Sequence, residues 1–163
     1  MIALGIDAAT TTGWGLVMHV RGREALVGHG RFRPDPASVR AFATKVFGGM
    51  RPDVVAIEDP FMGKNVGTLK KLARIAGWFE MEFAAAGVPV TYVLASTWQR
   101  CMLTGLITGR SGREARKAGS LLWARAVLGR ALPSEDEADA AALAAFAARQ
   151  GALGRISALA QRH

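Results

Sequence analysis

Carboxylates stand at three places in the sequence where they could act together on a cation. Asp7 directly follows the apolar run 2–6, and Glu58 directly follows the apolar run 54–57. Each is therefore expected at the carboxyl end of a buried strand, where α/β sheets gather their ligands. A third group of acids lies at 135–139. Oxygen ligands without His or Cys favour Mg²⁺ or Mn²⁺, and two such ions about 4 Å apart can hydrolyse a phosphodiester.

The third group begins a helix that is predicted over 135–149. Ser134 and Glu137 have the spacing of a capping box, and acids in a first turn suit the helix dipole. Glu137 lies about 160° from Asp139 around the helix axis. It is therefore expected to face solvent and to act as a cap instead of a ligand.

Asp139 is not explained by capping. It lies within about 40° of Leu143 and Phe146 around the helix axis, on the apolar stripe that should face the sheet. A carboxylate in that position is costly unless a cation or donors hold it. Asp136 and Glu135 lie on either side of Asp139, and helix geometry alone does not choose between them as a further ligand.

The elements that must position these acids follow from the remaining pattern. Apolar runs predict strands over 2–6, 14–20, 25–32, 54–57 and 88–94. Periodic apolar positions predict helices over 38–47, 66–86, 114–129 and 135–149, while 97–112 is predicted as loop or short helix. Ser38 is expected to cap the first helix, and the tail from Gly151 to be weakly helical at best. A three-strand meander followed by alternating elements predicts an α/β fold with a mixed five-stranded sheet and helices on both faces.

The composition excludes several classes of protein. A chain of 163 residues fits one domain, which we expect to span 1–163. Its single cysteine, Cys101, excludes a disulfide scaffold and a Cys-based zinc finger, and suits a reducing cytoplasm. The first residues lack the basic region of a secretory signal, and no apolar run reaches the ~18 residues that span a bilayer. We therefore expect a cytoplasmic protein without a membrane partner.

Positive charge is concentrated close to the acids. The net charge is +8, and residues 100–130 hold seven cations and one acid. A second basic group, Lys64 with 70–74, follows Glu58. Such clustering predicts a polyanionic partner, and Phe61, in the loop after Glu58, is suited to stack on a base.

Three motifs carry a resemblance to a known family. They are LGID at 4–7 with TGWG at 12–15, IEDPFMGKN at 57–65, and DEADAA at 136–141. In these motifs the chain resembles the RuvC-type Holliday junction resolvases of the RNase H-like nuclease superfamily. Most of the chain can be laid on the family in order, and the run at 57–65 is the most specific match.

The resemblance implies a fold, an activity and a ligand set. It implies an RNase H-like fold, a homodimer with one active site per subunit, and paired metal-dependent nicks across a four-way junction. It assigns the four catalytic, metal-binding carboxylates to Asp7, Glu58, Asp136 and Asp139, and so selects Asp136 over Glu135. The expected cofactor is two Mg²⁺ ions per site, with Mn²⁺ able to substitute.

The resemblance also implies a DNA-binding surface. It puts Phe61 at the position of an aromatic side chain that stacks on bases near the crossover, and Arg100 and Lys117 near basic DNA-contacting positions. The full set of expected DNA-binding residues is Phe61, Lys64, Asn65, Arg100, Arg113, Arg116 and Lys117.

The chain departs from the family at Ala8-Ala9, where Pro-Gly is usual. This departure predicts a divergent member of the family, cellular or encoded by a phage. We expect it to act at the nucleoid, in the cytoplasm of its cell or of the phage host. The sequence names no branch-migration partner. Two alternatives stay open: a nuclease for other branched DNA or for hybrids, and a non-catalytic junction-binding module. An actin-like sugar kinase would need two such domains, and this chain is too short for them.

Overall fold

The computed structural model describes the backbone of residues 1–60, 65–106 and 113–160, and the side chains of these ranges except 113–117 and 155–160. Its elements are β1 (Ile2–Asp7), β2 (Thr12–Val20), β3 (Arg23–Phe32), α1 (Pro36–Gly49), β4 (Val54–Glu58), α2 (Val66–Ala85), β5 (Val90–Val93), α3 (Ala95–Leu103), α4 (Arg113–Leu128) and α5 (Glu135–Ala160). No helix of the described ranges combines the length and the apolar character that a membrane crossing requires.

The five strands form one mixed sheet in the order β3-β2-β1-β4-β5. The first three strands pair antiparallel, while β4 pairs parallel with both β1 and β5. Arg21 and Gly22 join β2 to β3, and both have positive φ, as the tight turn of a twisted hairpin favours. The predicted five-stranded mixed sheet is confirmed.

Each face of the sheet is covered by its own helices, as predicted. Leu4, Ile6 and Ile57 belong to a buried cluster with side chains of α1 and α2. Ala3 and Ala56, which alternate with them along β1 and β4, belong to a second cluster with α3, α4 and α5. Because strand side chains alternate between faces, every residue of β1 and β4 is assigned to one of the two layers.

Glycines on β1 and β2 let α5 lie directly on the sheet. A Cβ added to Gly5 would overlap the carbonyl oxygen of Ala140 and lie 2.7 Å from the Ala144 nitrogen. A Cβ added to Gly15 would lie 2.6 Å from the Cα of Ala141. The backbone of α5 therefore contacts the backbone of the sheet, and this contact fixes how deeply the first turns of α5 enter the site.

Two predicted helix boundaries were wrong, those of α1 and α5. The N-cap of α1 is Asp35, whose carboxylate accepts from the backbone N–H groups of residues 37 and 38, while Ser38 completes the capping box from within the helix. The tail from Gly151 is helical to Ala160, because it continues α5 without a break. The segment predicted as loop or short helix forms α3 up to Leu103, and 107–112 lies outside the described residues.

Candidate active site

The parallel pairing of β1 and β4 places Asp7 and Glu58 side by side. Ile6 is in register with Ile57, so the next residue of each strand is the carboxylate. Both isoleucines face α1 and α2. Since side chains alternate, Asp7 and Glu58 point to the opposite face, which α5 covers.

The first turn of α5 is held against the end of β1. Gly13 is the register partner of Asp7 in the β1–β2 pair. A Cβ on Gly13 would overlap the carbonyl oxygen of Asp136 and lie 2.9 Å from its Cβ. Only a glycine at this position lets α5 come so close, and the close approach brings Asp136 next to Asp7.

The charges of the four acids act on one another. Burial raises the pKa of Asp7 well above its ordinary value, and the negative charges of Glu58, Asp139 and Asp136 raise it further. These four are the carboxylates that the sequence predicted as ligands. The structure therefore brings them into one electrostatic cluster at the carboxyl ends of β1 and β4.

Asp139 lies on the sheet-facing side of α5, as its position on the apolar stripe predicted. Burial is the main reason that its pKa rises to about 7; the neighbouring charges of Glu58, Asp136 and Glu135 add to the rise, and the Ser120 hydroxyl opposes it. The Ser120 hydroxyl lies close enough to affect this carboxyl, but neither Ser120 Oγ nor Asp139 Oδ1 completes a hydrogen bond within the described part of the chain. A buried carboxylate oxygen without a donor is the arrangement that a cation would relieve.

Glu58 has a donor that the sequence did not reveal. The indole Nε1 of Trp98, on α3, donates to Glu58 Oε2 over 2.9 Å. Burial raises the pKa of Glu58, and this hydrogen bond opposes the rise. The segment that contains Trp98 was predicted only as loop or short helix. The sequence pattern therefore did not predict that its ring lies at the site.

The donor set suits a hard divalent cation. All four acids offer oxygen, they repel one another, and the buried Asp139 Oδ1 has no partner in the described part of the chain. Among the described residues no three His, Cys, Asp or Glu side chains already form a finished metal cage. The carboxylates would therefore have to turn towards an ion to hold it together.

Glu137 is a cap, as predicted, but the prediction that it faces solvent was wrong. Ser134 Oγ accepts from its backbone N–H at 3.3 Å and donates to its carboxylate at 3.2 Å. The side chain is buried, and its Oε2 lies 2.5 Å from Nδ1 of His29 on β3. The reason is that β3 contacts α5 as well, so the side of α5 opposite Asp139 is also covered.

Comparisons with known proteins identify the family. No family model matches the chain. A curated relative, the crossover junction endodeoxyribonuclease RuvC of Chloroflexus aurantiacus, is 31% identical over 155 residues, which cover 88% of this chain and 90% of the relative. The chain belongs to the RuvC family. RuvC proteins are nucleases that depend on a divalent metal ion.

Solved RuvC structures share the fold. The Thermus thermophilus RuvC structure has a TM-score of 0.73 and 26% identity, covering 93% of this chain and 97% of that one. T. thermophilus RuvC in complex with a Holliday junction substrate has a TM-score of 0.75 and 24% identity over the same shares. The mixed sheet with helices on both faces is therefore the RNase H-like fold of a RuvC protein.

The predicted DNA-binding residues of this RuvC chain are placed unevenly. Arg100 is exposed on α3, and Asn65 is exposed at the N-terminus of α2, where its Oδ1 accepts from the N–H groups of residues 67 and 68. Phe61 and Lys64 lie outside the described residues. The other three lie in the first turns of α4, where the side chains are not described: Arg113, Arg116 and Lys117. Their contacts with DNA stay predictions.

Proposed function

We propose that this RuvC chain resolves four-way DNA junctions by metal-dependent hydrolysis of phosphodiester bonds. The observation that carries the proposal is the cluster of four mutually repelling carboxylates at the ends of β1, β4 and the start of α5. A non-catalytic junction-binding module would gain nothing from burying such a cluster, since it weakens the fold without a cation.

Asp7, Glu58, Asp136 and Asp139 would hold two Mg²⁺ ions, with Mn²⁺ able to substitute. When bound, such ions activate a water molecule and stabilise the leaving oxygen of the phosphodiester. When all four carboxylates are ionised they carry a charge of −4, which repels a phosphate, and two divalent ions cancel this charge. Asp136 is favoured over Glu135 because the charge of Asp136 raises the pKa of both Asp7 and Asp139, whereas the charges that raise the pKa of Asp7 do not include that of Glu135.

The proton on Asp139 connects metal binding to pH. With a pKa of about 7 in the metal-free fold, this carboxyl is partly protonated at neutral pH. A cation competes with that proton, so the affinity for metal rises as the pH rises through this range.

The charge of the chain supports a DNA substrate. The net charge is +8, and Arg100 is exposed on the helix that also carries Trp98 of the site. The Arg100 side chain would contact phosphates of a DNA strand that reaches the carboxylates. Because phosphate contacts release counterions, junction binding should weaken steeply with salt. The T. thermophilus RuvC structure described as a complex with a Holliday junction supports the same substrate class.

Paired nicks on opposing strands require two sites, and we therefore include a homodimer in the proposal. Met81 on α2, Tyr92 on β5 and Leu94 after β5 are large apolar side chains exposed in the single chain. A second subunit could cover such side chains. The enzyme would act on junctions in the nucleoid, in the cytoplasm of its cell or of a phage host.

The proposal is tested by separating binding from cutting. Asp7→Asn should abolish junction cleavage and leave junction binding, measured by gel shift in Ca²⁺ or EDTA, within a few-fold of wild type. Glu135→Gln is the matched control, since it removes an acid from the same cluster and should keep cleavage. Loss of binding and of the folded CD spectrum in Asp7→Asn would mean that this carboxylate is structural, and loss of cleavage in Glu135→Gln would reassign the ligand.

A further inference from the structure

The geometry points to Trp98 as a positioning residue that holds Glu58 ready for the metal ion. Its indole Nε1 donates to Glu58 Oε2 at 2.9 Å, within the ordinary range for such a bond. Trp98 is fully buried in the cluster between the sheet and α5. The inference rests on the proposed function, because Glu58 needs an orientation only if it serves as a ligand.

The backbone makes this contact rigid. Glu58 is in register with Val93 at the ends of β4 and β5, and the next N–H along β4, that of Asp59, donates to the Val93 carbonyl at 2.9 Å. Helix α3 begins two residues after Val93, and its first turn carries Trp98. The carboxylate therefore lies at the end of β4, and the indole lies on the first turn of the helix that follows the neighbouring strand β5. Because Trp98 is fully buried, the surrounding side chains restrict its ring.

The chemistry of the donor suits a metal ligand. An indole N–H donates, does not accept and carries no charge. It fixes one oxygen of Glu58 without neutralising the carboxylate, whereas Lys or Arg at the same place would compete with the cation. Oε1 and the remaining lone pair of Oε2 stay available to an ion. Partners of this kind, which orient a ligand without touching the metal, typically change metal affinity 10–100-fold when removed.

The test compares two tryptophans of one buried cluster. Trp98→Phe removes the donor and keeps an aromatic ring, and Trp123→Phe makes the same change on α4. Mn²⁺ is titrated calorimetrically into each folded protein without DNA. We expect Trp98→Phe to weaken Mn²⁺ binding about 10–100-fold and Trp123→Phe to leave it within about twofold. In the Glu58→Gln background, Trp98→Phe should cause no further loss, because the ligand it positions is already gone.

Wild-type protein gives a second measurement that needs no core substitution. The chain has four tryptophans, and in a ¹⁵N NMR spectrum the Trp98 indole N–H should shift on titration with Mg²⁺, while the indoles of Trp14, Trp78 and Trp123 should move little. The inference is overturned if Trp98→Phe binds Mn²⁺ as tightly as wild type, if Trp123→Phe weakens binding equally, or if the Trp98 resonance stays fixed. Wild-type protein that binds Mn²⁺ but leaves junctions uncut would instead refute the proposed function alone, and wild-type protein that binds no Mn²⁺ would refute both.

Discussion

Replacing Asp139 by Asn should stabilise the metal-free protein, and the gain should grow with pH. The folded pKa of Asp139 is about 7, against 3.8 for the free side chain. An acid whose pKa is raised on folding holds its proton more tightly in the folded state. The free energy of unfolding therefore falls as the pH rises from about 4 to about 7, and this contribution stays constant at higher pH. Asn has the same shape and no charge, so it escapes this loss.

The size of the effect follows from the two pKa values. Between pH 5 and pH 7 the carboxyl is protonated in the folded state and ionised in the unfolded state. Each pH unit in this range lowers the free energy of unfolding by about 1.36 kcal/mol, so two units lower it by about 3 kcal/mol. For a chain of this length, each kcal/mol moves the melting temperature by roughly 2–4 °C. The melting temperature of Asp139→Asn should therefore exceed that of wild type by about 6–12 °C more at pH 8 than at pH 5.

The assay is thermal unfolding followed by CD in EDTA, with wild type, Asp139→Asn and Glu80→Gln. Glu80 is an exposed carboxylate on α2 that accepts a hydrogen bond from the Tyr92 hydroxyl, and its substitution is the control for removing an acid away from the cluster. Excess Mg²⁺ should raise the melting temperature of wild type and leave that of Asp139→Asn nearly unchanged. A variant that melts with wild type at pH 8, or whose advantage is the same at both pH values, would refute the argument that this carboxyl is buried and uncompensated.

Two further substitutions test the framework that carries the site. Gly5→Ala should lower the free energy of unfolding by about 3 kcal/mol, the upper end for overpacking, and should abolish cleavage, because its Cβ would overlap the Ala140 carbonyl and push α5 off the sheet. Gly48→Ala, with open space around it, should cost nothing, and equal losses of stability in urea unfolding would count against the close contact of Gly5. Asp35→Ala removes the cap of α1, so it should lower the free energy of unfolding by about 1 kcal/mol and leave cleavage intact. An unchanged midpoint in urea unfolding would show that the cap contributes nothing to stability.

Three acids of the carboxylate cluster could be predicted because they stand out in local patterns, whereas Asp136 was selected over Glu135 only by the family resemblance. Asp7 and Glu58 end apolar runs of central strands, and such runs have few other interpretations. Asp139 lies on the apolar face of a helix, where periodicity alone marks it as unusual. Local patterns of period 2 and 3.6 therefore located Asp7, Glu58 and Asp139 before any contact between them was known.

Trp98 and Glu137 were missed because their roles depend on tertiary contacts. Trp98 meets Glu58 across 40 residues of sequence, through the pairing of β4 with β5. Glu137 meets His29 across 108 residues, because β3 reaches the far side of α5. A helical wheel assumes one buried face, so it assigned Glu137 to solvent when the helix is covered on two sides.

The cap of α1 shows a different limit. Both Asp35 and Ser38 are good capping residues, and Pro36 at the first helical position favours Asp35. Pro36 therefore marks Asp35, and not Ser38, as the residue before the helix. The end of α5 had no comparable signal, since Gly151 is a weak helix former that the structure nevertheless keeps helical.

The most direct test of the account is cleavage of an end-labelled four-way junction by the wild-type protein in Mg²⁺ and in EDTA, beside linear duplex and RNA–DNA hybrid controls. We predict symmetric nicks on opposing strands of the junction, present in Mg²⁺ and absent in EDTA, with the linear duplex left intact. Tight junction binding without cuts in Mg²⁺ or Mn²⁺, or equal cutting of the hybrid, would contradict it.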